Sequence, residues 1–296
     1  MPAIDRPRRS VLYMPGSNAR ALEKGRALAC DGLILDLEDA VAPDAKVQAR
    51  DLVVAALRGG GYGRRELVVR VNALNTAWGQ ADLVAVARSR AHAVLLPKVE
   101  SADAVRQVEA ALVAAGAPAE LAIWCMMETP RGLLAAAEIA AASPRLACLV
   151  MGTSDLAKDL HAQHTRDRLP LLTGLGLCLL AARANGLAAL DGVYLDLDDE
   201  EGFAQSCRQG RALGFDGKTL IHPKTIAAAN DAFAPSEEEI GFARKLIAAH
   251  ASAEAAGKGV VVVDGKLIEA LHVQNARRLV ALAEAIADMQ REGAAA

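Results

Sequence analysis

Eight short apolar runs, each closing on a polar residue, constrain this chain more than any other feature. They are SVLYMPG, GLILDLED, LVVRVN, AVLLPKVE, LAIWCMMETP, ACLVMGTSD, ALDGVYLDLDD and GKTLIHP. Between them lie stretches such as ADAVRQVEAALVAAG, GLLAAAEIAAAS and EGFAQSCRQGRALG, whose apolar residues recur every three or four positions, as on one face of a helix. Strand and helix in alternation call for a parallel sheet. Eight such units in about 225 residues match the usual size of a (β/α)₈ barrel.

The polar residues sharpen this reading. Tyr13, Asp36 with Glu38 and Asp39, Arg70 with Asn72, Lys98, Glu128, Asp155, Asp196 and His222 all stand at or just beyond the C-terminal ends of the runs. In a barrel these ends form one face, the face where chemistry is done. A doubly wound open sheet also places ligands at strand ends, but it gathers them at one crevice. No G-x-G-x-x-G or Walker A pattern is present. The expected fold is therefore α/β, a TIM barrel over residues 1–229.

From about Asn230 the pattern changes. Ser236 opens a capping box with Glu239 at the head of a helix running towards Gly257. GVVVVDGKLIEA then reads as a hairpin turning on Asp264-Gly265, and HVQNARRLVALAEAIADM reads as a last helix. Residues 230–296 are thus expected to form a helical and hairpin extension, packed on its own barrel or reaching a neighbouring subunit's open face.

Composition narrows the partners. With 53% hydrophobic residues among 296, the chain has ample material for a large core. A net charge of -3 and scattered basic residues argue against a nucleic-acid surface. The uncharged segment from Leu171 to Ala182 is far too short to span a membrane. Five cysteines, with no C-x-x-C pair, read as buried thiols in a reducing cytosol. The N-terminal apolar stretch is too short for a signal peptide, so a cytoplasmic protein is expected.

Glu128 in IWCMMETPRG and Asp155 in CLVMGTSDLAKD stand where the chain turns out of the sheet. Two oxygen ligands on adjacent strand ends, with room left for water and substrate, are the usual way to hold Mg²⁺ at an active site. Plainer readings compete. Asp155 can cap the helix that Leu156 begins, and Arg70 can pair with a barrel carboxylate. Tyr13 can be a plain strand residue, with Arg20 and Lys24 on an exposed helix face. His161 and His164, three apart, read as surface residues rather than a metal pair. Lys98 has the chemistry of a Schiff-base lysine, but metal carboxylates make an imine unnecessary, and a structural ion pair is expected.

Taken together, RRSVLYMPGSN, LDLEDAV, VRVN, LLPKVES, ETPRG, MGTSDLAKDL, LGFDGKTLIHPKTI and GKLIEALHVQNAR resemble, in order, the citrate lyase β-subunit-like CoA-ester lyases of the HpcH/HpaI aldolase superfamily. The resemblance covers nearly the whole chain and does not choose among malyl-CoA, β-methylmalyl-CoA and citramalyl-CoA lyases. It implies Mg²⁺-dependent cleavage or formation of a 3-hydroxyacyl-CoA. It also implies a homotrimer, or a multiple of one, whose C-terminal segment closes a neighbour's site. By the same resemblance Glu128 and Asp155 are the metal ligands, and Glu38 and Asp39 hold metal-bound waters. Arg70 binds substrate, Tyr13, Arg20 and Lys24 meet CoA, and Ile221 with His222 makes a further substrate contact.

Two departures stand out. Glu269, in GKLIEA, occupies the place of the family's catalytic aspartate, and His161 stands where a glycine commonly follows the metal-binding motif. Glu269 is assigned the proton transfer at the enolate carbon. The two acids have nearly equal unperturbed pKa values, but the longer arm changes where the carboxyl group sits. The competing functions are a malyl-CoA-type thioesterase, an aldolase on free 2-oxo-4-hydroxy acids, a citrate lyase β subunit acting on an acyl-carrier thioester, and a silent acyl-CoA-binding barrel.

Overall fold

The eight runs fold into eight parallel strands that close on themselves. They are β1 (Ser10–Pro15), β2 (Gly32–Asp36), β3 (Glu66–Arg70), β4 (Ala93–Leu96), β5 (Ala122–Met127), β6 (Leu146–Met151), β7 (Ala188–Asp191) and β8 (Gly217–Leu220). Each pairs with the next, and β8 pairs with β1, where Val11 lies opposite Thr219. The computed structural model describes residues 6–255 and 260–295. No helix among them is long and apolar enough to cross a membrane.

Strand side chains alternate between two apolar layers. Val11, Ile34, Val68, Leu95, Trp124, Met126, Val150 and Leu190 fill the barrel interior. Their neighbours Leu12, Leu33, Leu35, Val69, Val94 and Ile123 pack outward with the helices. Burial on both faces explains why the strands read as continuous apolar runs rather than alternating ones. All five cysteines are buried and unpaired.

Ion pairs close the N-terminal end of the barrel. Arg8 forks onto Glu66 at 2.6 and 2.9 Å, and its guanidinium lies 5.2 Å from the centre of the Trp124 ring. Arg9 forks onto Asp31 in the same way, at 2.9 and 2.8 Å. Charges at this end serve stability, leaving the C-terminal end for the site.

One run differs from its reading. The strand in ALDGVYLDLDD starts one residue before that run, at Ala188, and stops at Asp191. Asp191 ends it pointing outward, where Arg168 and the buried Lys218 bind its carboxylate at 2.7 and 2.9 Å. Asp196 therefore lies in the following loop, accepting from the backbone N–H groups of Asp198 and Asp199.

The chain divides into two units. One is Arg8–Phe233, so helix Ile226–Phe233, which a division after residue 229 would cut, stays whole with the barrel. The other holds the described residues from Ala234 onward together with Arg6 and Pro7. In it, Ser236 and Glu239 make the reciprocal capping bonds, at 2.7 and 3.1 Å, that start helix Glu237–Ala255. Gly257 lies outside the described residues. The hairpin of β9 (Val261–Val263) and β10 (Lys266–Ile268) turns on Asp264 and Gly265, with φ 49° and 77°. Two successive positive φ values are what a two-residue turn of the right twist requires. Val263 and Ile268 bury one face of the hairpin with Ala243, Leu246 and Val273, while Val262 and Leu267, paired across the strands, stay exposed.

Candidate active site

A cavity of about 360 Å³ opens at the C-terminal ends of the barrel strands. Tyr13 reaches it from β1, Asp36 from β2, Arg70 from β3 and Met126 from β5. Glu128 follows β5, and Gly152 through Asp155 follow β6. Val193, Leu195, Thr219 and Ile221 complete an opposite wall that is mostly apolar. One side of the cavity thus holds charge and the other holds aliphatic surface.

Arg70 and Asp36 are paired by register, facing each other across β2 and β3. Two guanidinium N–H groups donate to the two Asp36 oxygens, each at 2.7 Å. Asp36 also accepts from the backbone N–H groups of Glu38 and Ala40, at 2.9 and 3.0 Å. A third Arg70 nitrogen lies 2.9 Å from Glu38 and 3.4 Å from Asp39. The Glu38 oxygen at 2.9 Å is buried yet lies off the line of the N–H, so the two share charge without a hydrogen bond. Burial is the largest influence and opposes the charged guanidinium, but the bonds to Asp36 together with the charges of Asp36 and Glu38 outweigh it and hold Arg70 protonated. The Tyr13 ring lies against the guanidinium, 4.9 Å from its centre, and the Tyr13 hydroxyl donates to the Met126 sulfur at 3.3 Å. The ordinary ion-pair reading of Arg70 is thus realised within a residue that also lines the cavity.

Glu128 is nearly fully buried. One oxygen accepts from the backbone N–H of Lys98 at 2.7 Å, and the other takes no hydrogen bond from any described residue. Burial pushes its carboxyl group up to about 7, the Lys98 bond and Arg70 pull it down, and Glu38 and Asp155 add repulsion. Lys98 delivers its N–H from φ 48°, a left-handed conformation uncommon outside glycine, while its ammonium binds Glu38 at 2.8 Å. That is the ion pair expected of it, with a backbone role the sequence does not show.

Asp155 sits in the first turn of helix Thr153–Asp159, whose cap is Gly152 with no side-chain bond. Its carboxylate takes no hydrogen bond from the described residues, so the capping reading is not what the structure shows. Two carboxylates with uncommitted oxygens, one of them buried at a cost in free energy, form a donor set suited to a hard divalent cation that keeps other positions for water and substrate. No group of three or more His, Cys, Asp or Glu side chains among the described residues could hold a metal by itself. His161 and His164 are exposed.

Gly152 makes room for this arrangement. A Cβ there would lie 2.4 Å from both Cβ and an oxygen of Glu128. Gly152→Ala is therefore expected to push Glu128 aside and lower turnover about 10²-fold, the usual result of a misplacement near 1 Å. Circular dichroism and steady-state kinetics on one preparation check it.

Of the remaining candidates on the barrel, Asp39 and Ile221 line the cavity and the others do not. Arg20 and Lys24 are exposed on helix Ala19–Gly25 after β1 and do not line the cavity. Glu38 is turned onto Arg70 and Lys98, whereas Asp39 lines the cavity rim. Ile221 lines the cavity, but His222 is exposed and accepts from the Lys224 N–H at 3.1 Å, capping the turn Pro223–Thr225. Glu269 belongs to the other unit, exposed at the head of helix Ala270–Ala295, where its N–H donates to the His272 ring at 3.0 Å. Asp36, Thr219 and Ser154 are site residues that the strand-end pattern either did not separate from their neighbours or did not contain.

Residues 9–223 match the HpcH/HpaI aldolase/citrate lyase family. A (3S)-malyl-CoA thioesterase of Cereibacter sphaeroides is 55% identical over 281 residues, covering 95% of this chain and 96% of that protein. The citrate lyase subunit beta of Escherichia coli is 37% identical over 284 residues, 94% of each chain. A crystal structure of CitE from Mycobacterium tuberculosis in complex with magnesium, acetoacetate and coenzyme A superimposes with a TM-score of 0.74 at 34% identity, covering 93% of this chain and 97% of that one.

Proposed function

The chain belongs to the HpcH/HpaI aldolase/citrate lyase family, and from that premise we propose that it is a Mg²⁺-dependent thioesterase acting on (3S)-malyl-CoA or a close 3-hydroxyacyl-CoA. The observation that carries this reading is the 55% identity to malyl-CoA thioesterases across almost the whole chain. The convergence of Glu128, Asp155 and Arg70 on one cavity supports it.

Mg²⁺ held by Glu128 and Asp155 would supply Lewis acidity and a fixed point for the substrate's hydroxyl and carboxylate oxygens. Arg70, kept charged and oriented by Asp36, would face the thioester carbonyl and offset the negative charge that grows on its oxygen. Water adds to that carbon, the C–S bond breaks, and the thiolate leaves as CoA once protonated. The aliphatic wall of Val193, Leu195 and Ile221 would shelter the acyl chain. Arg20 and Lys24, exposed outside the cavity, would meet the CoA phosphates as they emerge from it.

Glu269 would complete the site from a neighbouring copy, in a trimer or a multiple of one. The exposed Val262 and Leu267 of the hairpin support an extension that finds its cover in assembly. A glutamate where the family has aspartate extends the carboxylate by one methylene. That reach suits a base holding water against the carbonyl rather than an acid serving the enolate carbon. Five buried, unpaired thiols fit a cytoplasmic setting.

The second reading is carbon–carbon cleavage to acetyl-CoA and glyoxylate, favoured by the family match and by 37% identity to citrate lyase β subunits. One assay separates the two. With Mg²⁺ and (3S)-malyl-CoA, free thiol and malate without glyoxylate support the thioesterase. Glyoxylate with acetyl-CoA gives the lyase, and no product from either route overturns both. In the same assay Glu269→Gln is expected to lower kcat by about 10²- to 10⁴-fold, the typical worth of a general base, with KM little changed.

A further inference from the structure

Four hydroxyl-bearing residues line the cavity: Tyr13, Thr153, Ser154 and Thr219. Three are committed within the protein. Tyr13 donates to the Met126 sulfur, Thr153 to the Val193 carbonyl at 3.4 Å, and Thr219 to the Asp191 carbonyl at 3.1 Å. The Ser154 oxygen is buried and has no hydrogen-bond partner.

That is an unfavourable state for a hydroxyl. A serine near a helix start ordinarily finds a backbone group close by to hydrogen-bond. Here the cap position is Gly152, and the Ser154 hydroxyl makes no such bond. Shielded from water as well, the hydroxyl loses the hydrogen bonds it would have in the unfolded chain. Buried polar groups are satisfied as a rule, and an exception at a cavity wall calls for a partner, which a bound ligand can supply.

Accepting the site reading above, we propose that the Ser154 hydroxyl, turned about its Cα–Cβ bond into the cavity that its residue lines, is a substrate-binding group that donates to the carboxylate of the 3-hydroxyacyl moiety. Its neighbour Asp155 is one of the two residues assigned to the cation, so the chelating end of the substrate must come to this turn. Ionised Glu128 and Asp155 can only accept hydrogen bonds. A substrate carboxylate brought between them needs donors, and Ser154 is a donor on that wall with no other use. The pairing is charge-assisted, stronger than a hydrogen bond between neutral groups. It makes Ser154 a determinant of selectivity for acyl-CoAs whose far end is a carboxylate.

The test is Ser154→Ala, read three ways on the full-length protein. KM for (3S)-malyl-CoA is expected to rise about tenfold or more with kcat within a few-fold of wild type. The affinity for free (S)-malate with Mg²⁺, measured by calorimetry, is expected to fall by the same factor. The melting temperature of the ligand-free protein is expected to stay level or rise, because the substitution removes an unsatisfied group. Unchanged KM and malate affinity would overturn the proposal, and so would a lower melting temperature accompanied by lost kcat at constant KM. A wild-type protein that binds malate but does not turn over malyl-CoA would sink the thioesterase reading while leaving Ser154 to be judged by calorimetry. No malate binding by wild type would remove the carboxylate partner and the inference with it.

Discussion

Glu128→Gln is expected to lower kcat/KM for malyl-CoA by on the order of 10³-fold or more while leaving the fold intact. The amide keeps the shape of the side chain and can still accept from the Lys98 N–H. It cannot bring a negative charge to the cation, so the substrate's hydroxyl and carboxylate would lose the fixed point that holds the thioester against Arg70 and water. Loss confined to about tenfold would show that the ion is held elsewhere.

The same variant carries a stability signature with a definite sign. Burial raises the Glu128 carboxyl group from its ordinary 4.5 to about 7. Between these values the folded protein keeps a proton that the unfolded chain has released. Stability of the metal-free protein therefore declines as pH rises through that window and levels off above it, by about 3 kcal/mol for a shift of this size. Magnesium should restore more stability near pH ~8 than near pH ~5.5, because only the ionised ligand binds it. In Glu128→Gln both the decline and the difference in magnesium response should flatten. Thermal melts across pH, with and without magnesium, check it.

The architecture was legible because it is written in repeated local patterns. Eight apolar runs, each short enough to be a strand and each followed by helical periodicity, leave few topologies open. A barrel turns that repetition into a single face where Glu128, Asp155, Arg70 and Tyr13 meet. What stayed hidden depends on register and main chain. The bond of Arg70 to Asp36 follows from their standing level across β2 and β3. The backbone N–H of Lys98 on Glu128 and the space at Gly152 have no side chain to announce them. Asp196 misled because GVYLDLDD resembles a strand although the strand stops at Asp191. Arg20, Lys24 and His222 share the right end of the barrel, yet helix and cap geometry turn them outside the cavity. Glu269 belongs to the unit beyond Phe233, where the strand-end pattern does not apply.

Arg70 separates catalysis from stability by a double substitution. Arg70→Ala should lower kcat/KM by on the order of 10²- to 10³-fold, the worth of one donor at a developing oxyanion. It should also destabilise the protein by about 3 kcal/mol, because it strands the buried Asp36 carboxylate. The low end of the range applies, since the N–H groups of Glu38 and Ala40 still serve Asp36. Adding Asp36→Asn to Arg70→Ala removes the stranded charge and should recover part of the melting temperature. It should recover none of the activity. Arg70→Lys tests the geometry: an ammonium keeps the charge but cannot fork onto both Asp36 oxygens while facing the cavity. It should fold nearly as well as wild type and remain about 10²-fold slower. If the lysine variant or the double variant regained wild-type turnover, Arg70 would be a strut between two strands, and the thioester oxygen would need another partner.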